Sequence, residues 1–285
     1  MNTIAFAAVG NNQGRLIVGG SQNTIDIGGN EHTCIVGGNS NFIGVLGSYA
    51  FLGGGRNNSC TGADSTLVGG SSNRIGNGSY QPATQSFLGG GNANVIEINS
   101  TYAVLVGGQS NQVTGSFASV LGGQGGIARL YGQQSYAAGG FAAAGDAQSH
   151  ELIWRRLITG TAQTELFLDG ASIAAILPAT NTIWQGTIDI AAICSVQGNG
   201  TTPVGNSQGT TYKVTIKRIG TTTSLVGTVQ EIGTMNNDPT LVGTFTIDAN
   251  DTNESLRIQF TPPATAGSTT VHRVVATFRG LQIQY

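Results

Sequence analysis

Three histidines are the side chains of this sequence best suited to acid–base or metal chemistry, and they stand far apart as His32, His150 and His272. None belongs to an HExxH motif or to a His/Cys cluster with the spacing of metal ligands. Catalysis requires several titratable groups to converge on one substrate, and these positions do not predict it. We therefore expect packing or surface roles, with a metal held between three copies of one histidine as the alternative.

Carboxylates are the other candidates, because glycoside hydrolysis places two of them about 5–10 Å apart around the sugar. Glu165 and Asp169 would share a strand face but lie about 13 Å apart at about 3.3 Å per residue. Asp169 is expected to cap the turn that follows it. Asp248, Asp251 and Glu254 crowd one loop, for which a solvated turn is predicted and a calcium site is the alternative. The sequence thus predicts no catalytic residue, no metal site and no cofactor, and hence no enzyme.

The low charge of the chain excludes several classes of partner. Only 9% of the residues are charged, and the formal net charge is −2. Nucleic-acid binding needs clustered Lys and Arg, whereas the two lysines, Lys213 and Lys217, share one predicted strand. The sequence contains no run of about 18 apolar residues, so membrane insertion is not expected. Cys34, Cys60 and Cys194 form no CxxC pair, so free thiols and folding in a reducing cytoplasm are expected.

A Gly-Gly-x-x-Asn repeat organises the first half of the chain. VGGSQN at 18–23 returns as VGGNSN, LGGGRN, VGGSSN, GGGNAN and VGGQSN, at intervals of about 15 to 21 residues. Each unit holds two short strands and two turns marked by Gly and Asn, and it is too short for a helical repeat. We predict stacked coils of parallel β-structure, a β-solenoid. The Asn of each repeat is predicted to form a hydrogen-bonded ladder between coils, made of Asn23, Asn41, Asn57, Asn73, Asn94 and Asn111.

The chain is predicted to have three parts: an attachment or capping segment at 1–15, a repeat stalk at 16–145 and a head at 146–285. In the head, alternating apolar residues and Gly/Pro/Asn turns predict an antiparallel, jelly-roll-like β-sandwich without helices. The predicted strands are Glu151–Thr159, Thr164–Leu168, Thr182–Gln197, Thr211–Ile219, Thr223–Ile232, Thr240–Asp248, Ser255–Thr261 and Thr270–Gln284.

Two polar loops of the head are the predicted place for binding, since loops at sandwich ends commonly carry function. They span 197–209 and 234–239 and are rich in amides and hydroxyls. Asn199, Thr202, Asn236 and Asn237 are the candidate receptor contacts, with ordinary solvated turns as the alternative.

The repeats VGGSQNTI, VGGNSNFI and VGGSSNRI resemble the head repeats of trimeric autotransporter adhesins and similar repeats of bacteriophage tail fibres. GDAQ and TELFLDG, within residues 145–170, resemble a segment common in phage tail-fibre and tail-tip proteins. The first resemblance implies a homotrimer whose chains form a left-handed parallel β-roll around one axis. The second implies a trimeric C-terminal knob.

These resemblances imply a virion fibre or spike subunit that recognises a host-cell surface glycan or protein. Its other partners would be tail or capsid proteins, and it would be assembled in the host bacterial cytoplasm and exposed on the particle. The alternatives are a purely structural capsid or tail decoration fibre and a polysaccharide-degrading tailspike enzyme.

Overall fold

The computed structural model describes residues 1–4, 14–26, 32–77, 83–179 and 181–285. Across these residues the chain is built of β-strands, and the one helical element described is a 3₁₀ turn at Ala264–Ala266. The all-β prediction is therefore confirmed.

Two compact units divide the chain, Met1–Gln148 and Ser149–Tyr285, where the sequence analysis placed the boundary after residue 145. Thr3–Ile4 already pairs with Thr24–Ile25, so part of the predicted 1–15 segment forms the first rung of the repeat structure. Residues 5–13 of that segment lie outside the described residues.

Two parallel ladders of very short strands build the first unit. Its strands are β1 Thr3–Ile4, β2 Leu16–Ile17, β3 Thr24–Ile25, β4 Cys34–Ile35, β5 Phe42–Ile43, β6 Phe51–Leu52, β7 Ser59–Cys60, β8 Thr66–Leu67, β9 Arg74–Ile75, β10 Phe87–Leu88, β11 Val95–Ile96, β12 Val104–Leu105, β13 Gln112–Val113, β14 Ser119–Gln124, β15 Ile127–Ala128 and β16 Gln134–Ala138. Odd-numbered strands pair in chain order in the first ladder, and even-numbered strands do so in the second. The chain therefore winds through about seven turns, and the predicted β-solenoid is confirmed. Its predicted left-handedness stays a prediction.

The core of the solenoid is one column of aliphatic side chains from each ladder. Successive strand residues point to opposite faces, so each two-residue strand gives one residue to the core and one to the outside. The inward residues are fully buried: Ile25, Ile43, Cys60, Ile75, Ile96, Val113 and Ala128 from the first ladder, and Ile35, Leu52, Leu67, Leu88, Leu105 and Val120 from the second. Stacking one coil on the next is what removes these side chains from water.

A column of buried asparagines joins the coils at one corner. Asn41 shows the pattern: its backbone N–H donates to Asn23 Oδ1 at 3.0 Å, and its Nδ2 donates to the carbonyl oxygens of Gly37 and Gly55 at 2.9 and 3.0 Å. The amides therefore bond to backbone groups and not to one another, unlike the side-chain ladder that the sequence suggested. The same pattern holds at Asn23, Asn41, Asn58, Asn73, Asn94 and Asn111.

Asn57 was wrongly assigned to this ladder. It is exposed and adopts a left-handed φ of 54°, while the next residue, Asn58, is 1% exposed and occupies the rung. The cause is the alignment of LGGGRN with VGGSQN. Leu52 is the inward strand residue, equivalent to Ile17, so the ladder asparagine lies six residues after the buried aliphatic residue in each repeat.

The second unit contains two sheets. Its strands are β17 Ala147–Thr159, β18 Thr164–Glu165, β19 Ala175–Ile176, β20 Thr182–Val196, β21 Ser207–Ile219, β22 Thr222–Leu225, β23 Gln230–Asn237, β24 Thr244–Asn250, β25 Ser255–Thr261 and β26 Val271–Gln284. One sheet has the order β17-β26-β20-β21-β22, with β23 also paired to β21, and the other has β18-β25-β19 with β24 on β25. The pairings from β18 to β26 are antiparallel. A sandwich stays a prediction.

Two strand predictions for this unit were wrong. The predicted strand Thr223–Ile232 is divided between β22 and β23, and the predicted loop at 234–239 is strand as far as Asn237. Because β23 pairs with β21 through Asn236 and Asn237, backbone hydrogen bonds outweigh the turn propensity of this Asn-rich segment.

The adjacent asparagines provide a matched test of the ladder. Asn58→Ser removes the acceptor of the buried Asn73 N–H and the donor to the Gly54 and Gly70 carbonyls. We expect the free energy of unfolding to fall by about 2–4 kcal/mol, since each buried group left unpaired costs about 1–3 kcal/mol. Asn57→Asp, at the exposed neighbouring position, keeps a residue that tolerates the left-handed φ and should change it by less than about 0.5 kcal/mol. Urea unfolding followed by circular dichroism checks both, and equal losses would contradict a stabilising ladder.

Candidate interaction surfaces

The outward side of the second ladder, here called the apolar face, carries two columns of side chains without a charged residue. The first column is Leu16, Cys34, Phe51, Thr66, Phe87, Val104, Ser119 and Gln134, and the second is Val18, Val36, Gly53, Val68, Gly89, Val106, Leu121 and Tyr136. Ten of these residues are exposed large hydrophobics, from 37% exposure at Val104 to 62% at Val18. Apolar exposure this continuous is typical of an interaction surface.

Residue sizes compensate one another across the apolar face. Where the first column has Phe, the second has Gly: a Cβ at residue 53 would lie 3.3 Å from Phe51 Cε1 and 2.3 Å from the Val68 carbonyl oxygen. Where the first column has Cys, Thr or Ser, the second has Val or Leu. Phe51 and Phe87 therefore lean over the glycines that follow them. From the rung of Cys34 to the rung of Ser119, each pair therefore has a similar total side-chain size, whereas the terminal rungs, Leu16 with Val18 and Gln134 with Tyr136, are larger.

Every coil also has two exposed corners with the same backbone conformation. One, here called the amide corner, consists of the left-handed residues just before the ladder asparagines: Gln22, Ser40, Asn57, Ser72, Ala93 and Ser110, with φ from 54° to 59°. The other, here called the aromatic corner, consists of His32, Tyr49, Asp64, Gln85, Tyr102 and Phe117, with φ from 51° to 59°. In both, the corner N–H donates to a carbonyl of the preceding coil, as Ser110 does to Asn92 and Phe117 to Thr101.

Rings at the aromatic corner stack along the solenoid. Tyr102 and Phe117 lie 4.8 Å apart with an interplanar angle of 23°, and the ring of Tyr131 lies 5.0 Å from Phe117 but is tilted by 47°. His32 and Tyr49 form a second stacked pair at 5.5 Å. The sequence analysis missed this surface. The signal is that each residue of the aromatic corner from His32 to Phe117 precedes a small or polar buried residue, which lies two positions before a buried strand residue.

The predicted receptor residues of the second unit do not form one exposed site. Asn199 Oδ1 accepts from the backbone N–H and the hydroxyl of Thr269, both at 3.0 Å, which ties two loops together. Thr202 is fully buried and donates to the Thr240 carbonyl, so its assignment as a surface contact was wrong. Asn236 and Asn237 are exposed on β23, and their role in binding stays a prediction.

The acidic residues singled out by sequence are engaged within the protein. Asp169 caps its turn as predicted, with Oδ1 accepting from three successive backbone N–H groups at 2.8–2.9 Å. These bonds hold the pKa of Asp169 at about 2 against the opposing effect of desolvation. Asp248 pairs with Arg257 at 2.7 Å, and Glu254 accepts from Thr223. Desolvation raises the pKa of Glu165. Among the described residues no group of three or more His, Cys, Asp or Glu is placed to hold a metal.

Two histidines are buried in the second unit among aromatic rings. His150 is 4% exposed and lies 4.8 Å from Trp184 and 5.2 Å from Phe278, and His272 is fully buried beside Phe260. Within the described structure, neither ring nitrogen of either residue has a hydrogen-bond partner. Desolvation lowers the pKa of His150 to about 3 and also lowers the pKa of His272. Both are therefore neutral core residues.

Comparisons with known proteins identify no family for this chain. No protein-family model matches the sequence, and no curated protein matches it. Among solved structures, the tailspike protein of Acinetobacter baumannii phage AM24 is similar with 9% identity and a TM-score of 0.19, over 93% of this chain and 56% of that chain. This chain thus spans little more than half the length of that tailspike chain, and a TM-score this low does not establish a shared fold. In the described residues, no helix has the length and apolarity needed to cross a bilayer.

The buried histidines predict an acid-sensitive second unit. The folded state lowers the pKa of His150 from 6.5 to about 3, so this contribution to stability is present above about pH 6.5 and is lost as the pH falls toward 3. We expect the free energy of unfolding to drop by about 3 kcal/mol between pH 7 and pH 4.5, at about 1.4 kcal/mol per unit. Fluorescence of the buried Trp154 and Trp184 reports this unfolding.

The control for this measurement is His150→Leu, which removes the titrating group and keeps an apolar side chain in the cluster. The variant should lose most of the extra acid sensitivity between pH 7 and pH 4.5. An unchanged pH slope in the variant would show that other groups cause the destabilisation.

Proposed function

We propose that this chain is a subunit of a homotrimeric bacteriophage fibre or spike that binds the surface of a host cell. In this proposal the solenoid, a left-handed β-roll, is the stalk, and the second unit is a sandwich-like, jelly-roll head. The assembly is exposed on the virion, held by other tail or capsid proteins, and acts by adhesion without catalysis. The resemblance of the GG-x-x-N repeats to phage fibre and adhesin repeats supports the virion assignment.

The apolar face is the observation that supports the proposed trimer. A second copy in the same orientation presents the same columns with the same rise of about 4.8 Å per coil, so the rungs of two copies match one to one. Parallel packing also brings identical residues together, and a face without charged residues avoids the repulsion that this would cause. Burying a half-exposed Val or Leu contributes roughly 1 kcal/mol, before the cost of association.

Adhesion follows from the trimer by avidity. Three chains held on one axis present three copies of any binding surface, so that weak individual contacts act together. The absence of catalysis is supported by the engagement of Asp169 and Asp248 in internal hydrogen bonds and an ion pair.

A charge on the apolar face tests the trimer. Val106→Asp places a carboxylate on a residue that is 47% exposed in one chain, and burial against two copies of itself would cost several kcal/mol. We expect wild type to have three times the 29.1 kDa chain mass and the variant to dissociate at micromolar concentration, as measured by light scattering. Gln109→Asp is the control, because Gln109 is exposed on the same coil but outside the apolar face.

The binding half of the proposal is tested by pull-down on a panel of bacterial strains. Trimeric wild type should be retained by cells of some strain, and dissociated Val106→Asp should be retained at least tenfold less, through lost avidity. A monomeric wild type would overturn the trimer. A wild-type trimer retained by no strain would overturn host recognition.

A further inference from the structure

The two corners of each coil have the same left-handed backbone conformation but carry different types of residue. A left-handed φ disfavours bulky side chains, and outside Gly, Asn and Asp it costs about 1–2 kcal/mol per residue. At the amide corner the chain uses small or polar residues such as Ser40, Ser72 and Ser110. At the aromatic corner it places Tyr49, Tyr102 and Phe117 in the same conformation. Because the amide corner folds without rings, the fold does not require rings at this backbone conformation.

Ring stacking does not by itself explain why the aromatic corner carries Tyr and Phe. A stacked aromatic pair contributes about 0.5–1.5 kcal/mol, which roughly offsets the cost of the left-handed conformation and leaves no clear gain over Asn. Tyr102 and Phe117 also remain 48% and 50% exposed. Exposed residues in a strained backbone conformation, without contacts that offset the strain, indicate a functional role.

Chain length also varies next to the aromatic corner and nowhere else in the coil. From each aromatic-corner residue to the next ladder asparagine the chain advances nine residues, as from 64 to 73 and from 102 to 111. From the asparagine to the next aromatic corner it advances between six residues, from 58 to 64, and twelve, from 73 to 85. Insertions are therefore accommodated beside this corner, and connections that vary in length are where binding residues concentrate.

The exposed groups along the corner combine apolar rings with hydrogen-bonding side chains. Because Tyr102 stacks on Phe117 in the following coil, its second ring face is turned toward the preceding coil, where the exposed Gln85 occupies the same corner, and the exposed Asp64 lies one coil further on. From Asp64 to the ring of Tyr131 the corner spans four coil steps, about 19 Å at about 4.8 Å per step. Rings, an amide and a carboxylate along one strip offer apolar contact together with hydrogen-bond donors and acceptors.

We infer that the aromatic corner from Asp64 to Phe117, together with the adjoining ring of Tyr131, is a binding site for an uncharged saccharide of several sugar units. This assignment rests on the proposed function of host-surface binding and places its glycan site on the solenoid. The C–H faces of pyranose rings pack on Tyr102 and on the outer edges of the ring stack, while sugar hydroxyls bond to Gln85 and Asp64. Asp64 is the one formally charged residue within this span of the corner, and its carboxylate disfavours acidic sugars.

Replacing rings by asparagine tests the site with little risk to the fold, because Asn is well tolerated at left-handed φ. The probe is an array of uncharged bacterial surface oligosaccharides, followed by calorimetric titration with the tightest binder. We expect Tyr102→Asn and Phe117→Asn each to weaken its binding at least tenfold, with native mass and melting temperature retained. Ser110→Asn is the matched control, with the same backbone conformation at the amide corner, and should bind within twofold of wild type.

The outcomes separate this inference from the proposed function. If wild type and both ring variants bind the saccharide or the host cells equally well, the aromatic corner is not the site, although host binding stands. If the ring variants dissociate into monomers, the rings belong to the subunit interface and the inference fails. If wild type binds neither the array nor any bacterial strain, the proposed host recognition fails together with the site.

Discussion

The hydrogen bonds of the buried asparagines fix the spacing on which the rest of the solenoid depends. Each carboxamide satisfies a backbone N–H of the next coil and carbonyls of its own and the next coil, as Asn73 does with Asn94, Gly69 and Gly91. The glycines let the coils come this close, since a Cβ at Gly55 would lie 2.1 Å from the Gly70 carbonyl oxygen. A short coil with two-residue strands has few other ways to satisfy its corner backbone groups.

The asparagine ladder fixes the rise between coils from inside the solenoid. The outward-facing residues are therefore not needed for coil spacing and can serve other roles. Positions that recur in the sequence become columns on the surface, so one residue choice repeated per coil makes a continuous strip. The inner rungs of the apolar face have similar side-chain size in this way, with Phe87 leaning over Gly89 where Val104 and Val106 share the next rung. The aromatic corner uses it to align rings at about 4.8 Å, which is both the strand spacing and a favourable stacking distance.

The sequence was sufficient to predict the solenoid and five of the six ladder asparagines, because a recurring Gly-Gly and Asn have a direct conformational meaning. It failed at Asn57 because the hexapeptide was aligned on its glycines, when the constraint is the distance from the buried Leu52. It failed at Thr202 because a hydroxyl in a Gly-rich loop gives no sign of burial, which depends on the distant Thr240 carbonyl. The aromatic corner was missed because its residues share a backbone conformation and not a residue type.

The two sides of the coil differ in whether the chain between their fixed residues varies in length, and this difference separates their roles. The nine-residue segment of constant length contains the apolar face and ends on the ladder asparagine, as from Tyr49 to Asn58. In the proposed trimer, an insertion there would shift one rung of the face against the rungs of the other two copies, and the mismatch would recur in every subunit. An insertion on the other side displaces neither the ladder nor the face. The side next to the aromatic corner is therefore where the fold can change in length without disturbing the ladder or the apolar face that the proposed trimer would bury.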